Sequence, residues 1–123
     1  MTKKIISAGN VPFSKAIICD SKQFMEVSGQ VGLDPITGKL TLGIEKQTKQ
    51  SLDNIRKILE DEGWTLTDIT KVRVYLVDMS DYAKVNEIYK NYFQENFPTR
   101  VALAVKALPL GALIEIECTA ARD

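Results

Sequence analysis

The sequence predicts an α+β fold in which two helices cover one face of a six-stranded mixed sheet. Two long segments carry apolar residues at intervals of three and four, which is typical of helices with one buried face. Six short segments are strand-like, and the clearest of them alternate apolar with polar residues. Two helices with one-sided apolar stripes need one sheet face to cover. A chain of 123 residues suits a single domain, residues 1–123.

The amino-terminal segment is predicted to supply three strands. They lie at residues 3–7, 16–19 and 24–28. A turn at residues 20–22 favours a hairpin between the second and third strands.

The first helix is predicted over residues 44–62. Its apolar stripe consists of Ile44, Leu52, Ile55, Ile58 and Leu59. Gly63 follows as a left-handed stop, and Trp64 can pack back over the helix end.

The carboxyl-terminal half alternates a strand, a helix and two further strands. A strand at 72–76 precedes a helix at 81–95, whose buried stripe is Val85, Ile88, Tyr89, Tyr92 and Phe93. Strands at 100–106 and 113–120 are predicted to form a hairpin around residues 108–111. Because helix crossovers join strands in parallel and hairpins are antiparallel, the sheet must be mixed. Its second face needs a partner or stays in contact with water.

The last two strands carry a pattern that points to a ligand site. One side of the hairpin is apolar and is predicted to be buried, at Val101, Leu103, Val105, Ile114 and Ile116. The other side holds Arg100, small alanines, and Glu115 and Glu117. A guanidinium matches a carboxylate bidentately, so this side has room for a small carboxylate. The alternative is that these charges only form a solvated strand face.

Arg100 and Glu115 do not meet in a tight hairpin. They would be four positions out of step, roughly 13 Å along the strand. Either the connection is wider, or another copy of the chain completes the site, as closed cyclic homo-oligomers permit.

Two glycines three residues apart end the third strand, in Ser28-Gly29-Gln30-Val31-Gly32. They indicate a bulge or a close approach of the backbone to another group. The alternative is a plain strand end. The segment lacks the spacing of a phosphate-binding loop.

The composition excludes several classes of function. Sixteen basic and sixteen acidic residues cancel, which removes the usual electrostatic reason to expect nucleic-acid binding. There is no histidine, so a Ser-His-Asp triad and a His-ligated metal are excluded. Cys19 and Cys118 are predicted to be small buried residues. No leader or membrane-spanning pattern is present, so a cytoplasmic protein is expected.

FPTR at 97–100, LP at 108–109 and IEIE at 114–117 resemble the carboxyl-terminal signature of the RidA family, the reactive intermediate deaminases also called YjgF proteins. The resemblance extends to VSGQVGLDPITGKL, QSLDNI and VYLVDMSDYAKVNEIYKNYF, in the family's order. It implies a chorismate-mutase-like fold assembled as a homotrimer, with pockets between neighbouring chains. It also implies hydrolysis of 2-imino acids to 2-oxo acids and ammonia, without a metal or organic cofactor.

The resemblance also implies roles for single residues. Arg100 would pair with the substrate carboxylate, and Glu115 would orient water or shuttle a proton. Further residues are expected to line the pocket: Phe13, Ser28, Gly29, Val31, Gly32, Asn86 and Ala102.

The sequence departs from common family patterns at several of these positions. Phe13 stands where many members carry a pocket tyrosine, so a hydroxyl is missing. Ala102 stands where some members carry cysteine, and Gly32 where many carry proline.

Three functions therefore compete. The first is an imine and enamine deaminase acting on 2-iminobutanoate and 2-iminopropanoate. The second, motivated by Phe13, is a non-catalytic trimer that binds small carboxylates. The third is an RNA-directed endoribonuclease or translation inhibitor, which the balanced charge and missing histidine disfavour.

Overall fold

The computed structural model describes residues 2–123 and contains the six strands and two helices that the sequence predicts. The strands are β1 (Thr2–Ser7), β2 (Ser14–Asp20), β3 (Gln23–Val31), β4 (Ile69–Leu76), β5 (Thr99–Ala104) and β6 (Ile114–Arg122). The helices are α1 (Gly43–Asp61) and α2 (Tyr82–Phe93). The α+β class is confirmed. None of the helices in residues 2–123 is long and apolar enough to cross a membrane.

The strands form two sheets, so the prediction of one six-stranded sheet is wrong. β1 and β2 form an antiparallel pair, and the other strands form a mixed sheet in the order β3-β6-β4-β5. In the larger sheet β4 and β5 are parallel, whereas β6 is antiparallel to both β3 and β4. The two sheets meet where the amide of Ser14 donates a 3.0 Å hydrogen bond to the carbonyl of Pro98.

The two predicted hairpins are also wrong. β2 pairs with β1 rather than β3, and β4 lies between β5 and β6. The physical reason is that α2 connects β4 to β5, which makes them parallel neighbours. β6 then occupies the other edge of β4, and the turn at Pro109–Gly111 belongs to a connection that crosses β4.

Both helices pack on the same face of the larger sheet, and the core lies between them. It is formed by Leu52, Ile55 and Leu59 of α1, Val85, Ile88 and Tyr89 of α2, and the inward-facing residues of β4 and β6. The two predicted helical stripes are confirmed, although Ile58, Tyr92 and Phe93 are only half-buried. The amide of Trp64 donates to the carbonyl of Leu59 at 2.9 Å, so the buried indole closes the end of α1 as expected.

The register of β5 reverses the predicted burial of that strand. Arg100 pairs with the buried Val72, so it lies on the face that the helices cover. Val101 and Leu103 lie on the opposite, uncovered face and are 45% and 40% exposed. An alternating pattern gives the period of a strand but not which side is buried. On an edge strand neither set of residues is forced inward.

Gly32 allows the segment after β3 to contact α1. A Cβ atom at this position would lie 2.7 Å from Cα of Gln47. Gln47 in turn donates to the carbonyl of Thr41 and accepts from the amide of Leu113, at 2.9 and 2.8 Å. Gly32 therefore holds three segments at close range, and it is buried rather than open to a ligand.

We expect Gly32→Ala to lower the free energy of unfolding by about 1–3 kcal/mol, because the added methyl group clashes with backbone that cannot move aside easily. Chemical denaturation measures the change. Ile36→Ala is the control, since Ile36 is 93% exposed on the following turn and should change stability by less than about 0.5 kcal/mol. Equal stability of the two variants would contradict this account of Gly32.

Candidate functional site

Arg100 lies near the start of β5 among aromatic rings. Its guanidinium carbon is 4.8 Å from the ring centroid of Tyr89, 5.4 Å from that of Phe13 and 5.5 Å from that of Tyr82. Each cation–π contact of this kind contributes about 0.5–2 kcal/mol. The rings therefore confine the guanidinium without removing its charge.

The charge of Arg100 has no counter-ion within residues 2–123. Nη2 donates a 3.0 Å hydrogen bond to the neutral hydroxyl of Tyr82. Nη1 is buried, and no group in the same residues accepts from it. The ion pairs within residues 2–123 involve other cations, namely Arg56, Lys57, Arg73 and Lys90. A guanidinium with an unused N–H edge is matched to a carboxylate, which can accept two parallel hydrogen bonds.

Phe13 and Ala102, both predicted site residues, lie on the same side of the sheet as Arg100. Phe13 directly precedes β2, and its ring faces the guanidinium. Ala102 pairs with Val74 and packs against the core.

Asn86 lies on α2 between Tyr82 and Tyr89. The spacing of four and three residues places the three side chains on one face of the helix. Oδ1 of Asn86 and the hydroxyl of Tyr89 are both buried without a hydrogen-bond partner in residues 2–123. Burial raises the pKa of Tyr89, so its phenol stays neutral. The face of α2 that contacts Arg100 therefore carries a hydroxyl, on Tyr89, and an amide oxygen, on Asn86, that are free to form hydrogen bonds with a ligand.

Ser28 and Gly29 form an irregularity between β3 and β6, where the register shifts between Val27 and Gln30. A Cβ atom on Gly29 would lie 2.6 Å from Oε2 of Glu115. The predicted close approach at this glycine is confirmed, and the group that approaches is the carboxylate of Glu115. Ser28 is exposed beside it.

Val31 pairs with Glu115 in the β3–β6 ladder and so lies on the same face of the sheet. Ser28, Gly29, Val31 and Glu115 thus form one group on the uncovered face. Gly32 turns away from this group towards α1.

Glu115 and Glu117 lie on the same face of β6 but differ in their hydrogen-bond and ion-pair partners. Glu117 accepts a hydrogen bond from the hydroxyl of Tyr75 and lies 4.0 Å from Arg73. That hydrogen bond raises the pKa of Tyr75. The carboxylate of Glu115 accepts no hydrogen bond and forms no ion pair within residues 2–123. Glu115 is therefore the carboxylate that remains available to a ligand or water.

Arg100 and Glu115 lie on opposite faces of the same sheet, so the expectation that they share a face is wrong. Arg100 pairs with Val72, whose side chain is in the core, whereas Glu115 pairs with Tyr75 on the uncovered face. A single chain does not bring the two groups to one small ligand.

The sequence did not identify Tyr82 as a site residue, and it did not predict that Tyr89 contacts Arg100. Tyr89 is a core residue as predicted, but its hydroxyl has no hydrogen-bond partner in residues 2–123. The available signal was the spacing of Tyr82, Asn86 and Tyr89, which is helical and places polar atoms on a buried stripe.

Neither cysteine nor a metal site adds to this arrangement in residues 2–123. Burial raises the pKa of the Cys118 thiol to about 12, so it is not a nucleophile near neutral pH. Cys19 is half-buried rather than fully buried as predicted. No group of three or more metal-ligating side chains occurs in the same residues.

The fold and the free guanidinium define an α+β protein with a potential carboxylate site, and comparison with known proteins gives its family. The family model described as endoribonuclease L-PSP matches residues 3–122. A RutC family protein of Pyrococcus horikoshii is 48% identical over 113 residues, covering 91% of this chain and 88% of the relative. The human 2-iminobutanoate/2-iminopropanoate deaminase is 40% identical over 126 residues, covering 98% and 90%.

A solved structure shows the same fold. Escherichia coli TdcF, crystallised with bound serine, superposes with a TM-score of 0.78 at 32% identity, covering 98% of this chain and 99% of that one. The chain belongs to the endoribonuclease L-PSP family, also called the YjgF or RidA family. The resemblance noted in its sequence motifs is confirmed.

We expect Glu117→Gln to lower the pKa of Tyr75 towards its ordinary value, because the hydrogen bond to Glu117 is the main cause of the raised pKa. In the unmodified protein the stabilisation from this bond is present below the ordinary pKa of tyrosine. It is lost as pH rises through the raised pKa. Ultraviolet absorbance of the phenolate during alkaline titration, compared with Tyr75→Phe, measures the shift.

Glu115→Gln is the matched control, since Glu115 acts on Tyr75 only through space and raises its pKa less than Glu117 does. A larger change in the pKa of Tyr75 in Glu115→Gln than in Glu117→Gln would show that the two carboxylates have been assigned the wrong way round.

Proposed function

We propose that the protein is an imine deaminase that hydrolyses 2-iminobutanoate and 2-iminopropanoate, together with their enamine tautomers, to 2-oxo acids and ammonia. The observation that carries the proposal is the guanidinium of Arg100, which is confined by three rings and has no counter-ion in residues 2–123. The deaminase name of the human relative supports the reaction class.

In this reaction Arg100 binds the substrate carboxylate and fixes the plane of the imine. A water molecule attacks the electrophilic imine carbon, and Glu115 accepts one of its protons. The attack forms a carbinolamine, whose nitrogen receives the proton held by Glu115. Glu115 then transfers the remaining hydroxyl proton to this nitrogen, so that the C–N bond breaks, ammonia leaves and the carbon becomes the carbonyl of the 2-oxo acid. The chain's own carboxylate and guanidinium suffice for these steps, so we propose a metal-independent reaction without an organic cofactor.

The site is completed by a second copy of the chain. Arg100 and Glu115 lie on opposite faces of the sheet, so the Glu115 that acts on a substrate held by Arg100 must come from a neighbour. The uncovered face supports this assembly, because it exposes Phe24 by 64% together with Val101 and Leu103. We propose a homotrimer of chorismate-mutase-like chains with these faces turned inward and one site at each interface. A cytoplasmic location stays a prediction from the sequence.

A non-catalytic module that binds small carboxylates is the second candidate. Phe13 favours it, since the ring that faces Arg100 at 5.4 Å carries no hydroxyl to hold a water molecule. The loss of one neutral hydrogen bond corresponds to about 0.5–1.5 kcal/mol, which is too little to abolish turnover by itself. An RNA-directed activity is supported by the description of the family model, endoribonuclease L-PSP, but not by the chain itself, which has zero net charge and no histidine.

We expect Arg100→Ala to lower the rate of imine hydrolysis at least about 100-fold, because it removes the bidentate partner of the carboxylate. A threonine dehydratase generates the imino acid, and semicarbazide traps the imine that survives. Arg56→Ala is the control, since Arg56 pairs with Asp53 and lies 5.0 Å from the ring of Tyr92, away from the site.

Retained activity in Arg100→Ala would contradict the deaminase mechanism. If the unmodified protein leaves imine decay unchanged but is stabilised against heat by 2-oxobutanoate, the second candidate replaces it.

A further inference from the structure

Tyr82 is the first residue of α2 and is half-buried beside Arg100. Its hydroxyl accepts the 3.0 Å hydrogen bond from Nη2. Within residues 2–123 this is the only hydrogen bond that the guanidinium makes. The contacts with Tyr89 and Phe13 are made through ring faces, which restrict the position of the guanidinium but provide no hydrogen-bond acceptor.

The geometry of a guanidinium makes one such bond informative. The group is planar and its N–H bonds point in fixed directions, so anchoring Nη2 also sets the direction of Nη1. In this structure Nη1 is buried and points to no acceptor in residues 2–123. The bond to Tyr82 therefore decides which edge of Arg100 is presented to a ligand.

The chemical character of the acceptor also matters. A carboxylate at this position would neutralise Arg100 and compete with an anionic substrate for the same N–H groups. A phenol accepts the hydrogen bond but is neutral. It therefore orients the guanidinium and leaves the full positive charge for the ligand.

We propose that Tyr82 is a positioning residue that orients Arg100 for the carboxylate of 2-imino and 2-oxo acids. The inference rests on the proposed function for the identity of the ligand and adds a residue to which the sequence motifs gave no role. Tyr82 acts through Arg100, so its removal should weaken carboxylate binding and leave the chemical step nearly unchanged.

The test compares Tyr82→Phe with Tyr92→Phe. Both substitutions remove one hydroxyl from a half-buried tyrosine of α2 and keep the ring. The hydroxyl of Tyr92 bonds instead to Asp53 and the carbonyl of Lys49, at 2.8 and 3.2 Å. A general effect of losing a buried hydroxyl from this helix would appear in both variants.

Two readouts are needed. Steady-state kinetics on 2-iminobutanoate, generated in situ by an amino-acid oxidase, give KM and kcat. Titration calorimetry gives the Kd of 2-oxobutanoate, which is stable and carries the same carboxylate. We expect Tyr82→Phe to raise both KM and Kd by roughly threefold to tenfold, from the loss of a hydrogen bond to a charged group, with kcat within about twofold. Tyr92→Phe should leave all three unchanged.

Unchanged KM and Kd in Tyr82→Phe would overturn the inference, and so would a fall in kcat with KM unchanged. Equal effects in the two variants would show a general structural role and would overturn it too.

The calorimetric arm keeps the inference separate from the proposed function. If the unmodified protein does not accelerate imine decay, the deaminase proposal fails. Tyr82 is then still supported if 2-oxobutanoate binds the unmodified protein, binds Tyr82→Phe more weakly and does not bind Arg100→Ala. Absence of 2-oxobutanoate binding to the unmodified protein overturns the inference.

Discussion

The register between β4 and β5 determines what Arg100 can do. Pairing Arg100 with Val72 turns the guanidinium under α2. Three aromatic rings surround it there, the hydroxyl of one of them, Tyr82, accepts its hydrogen bond, and no carboxylate within residues 2–123 reaches it. Burying a guanidinium costs free energy unless a counter-ion neutralises its charge. The same register moves Val101 and Leu103 to the uncovered face. One pairing thus leaves a guanidinium without a counter-ion in residues 2–123 and places an apolar surface on the uncovered face.

The two faces of the sheet carry different groups of the candidate site. The covered face provides the cation and its aromatic surroundings, and the uncovered face provides a carboxylate that has no partner within residues 2–123. Gly29 leaves space for the carboxylate of Glu115 above the β3 backbone, and a Cβ atom at this position would displace that carboxylate. Glu117, two residues further on, instead accepts a hydrogen bond from Tyr75 and forms an ion pair with Arg73, and both partners lie on the neighbouring strand β4. Local packing therefore gives different roles to two acids that the alternating sequence makes equivalent.

Much of the fold could be predicted from the sequence because it depends on local patterns. The stripes at intervals of three and four placed α1 and α2, and Gly63 and Trp64 marked where α1 ends. Turn residues marked the ends of strands but not their partners, which explains why both hairpins were wrong: residues 20–22 and 108–111 are turns between strands that do not pair with each other. Arg100, Glu115 and Glu117 were identified from the alternating pattern of the last two strands, and the family motifs gave roles to Arg100 and Glu115. The face on which Arg100 lies depends on a parallel register with β4, which is a long-range property that no local pattern records. The contact of Tyr82 with Arg100 depends on how α2 lies over β5, which is again a long-range property.

Because Arg100 and Glu115 lie on opposite faces of the sheet, the central proposal is that each site takes its arginine from one chain and its glutamate from another. Complementation between two inactive variants tests it most directly. Arg100→Ala and Glu115→Gln are unfolded together, refolded as a mixture and assayed for imine hydrolysis. In a cyclic assembly half of the sites receive an intact arginine and half of those an intact glutamate, so we predict recovery of about a quarter of the unmodified activity. The separately refolded variants should stay inactive. A mixture no more active than the separate variants would contradict the account, because it would mean that both groups act from the same chain.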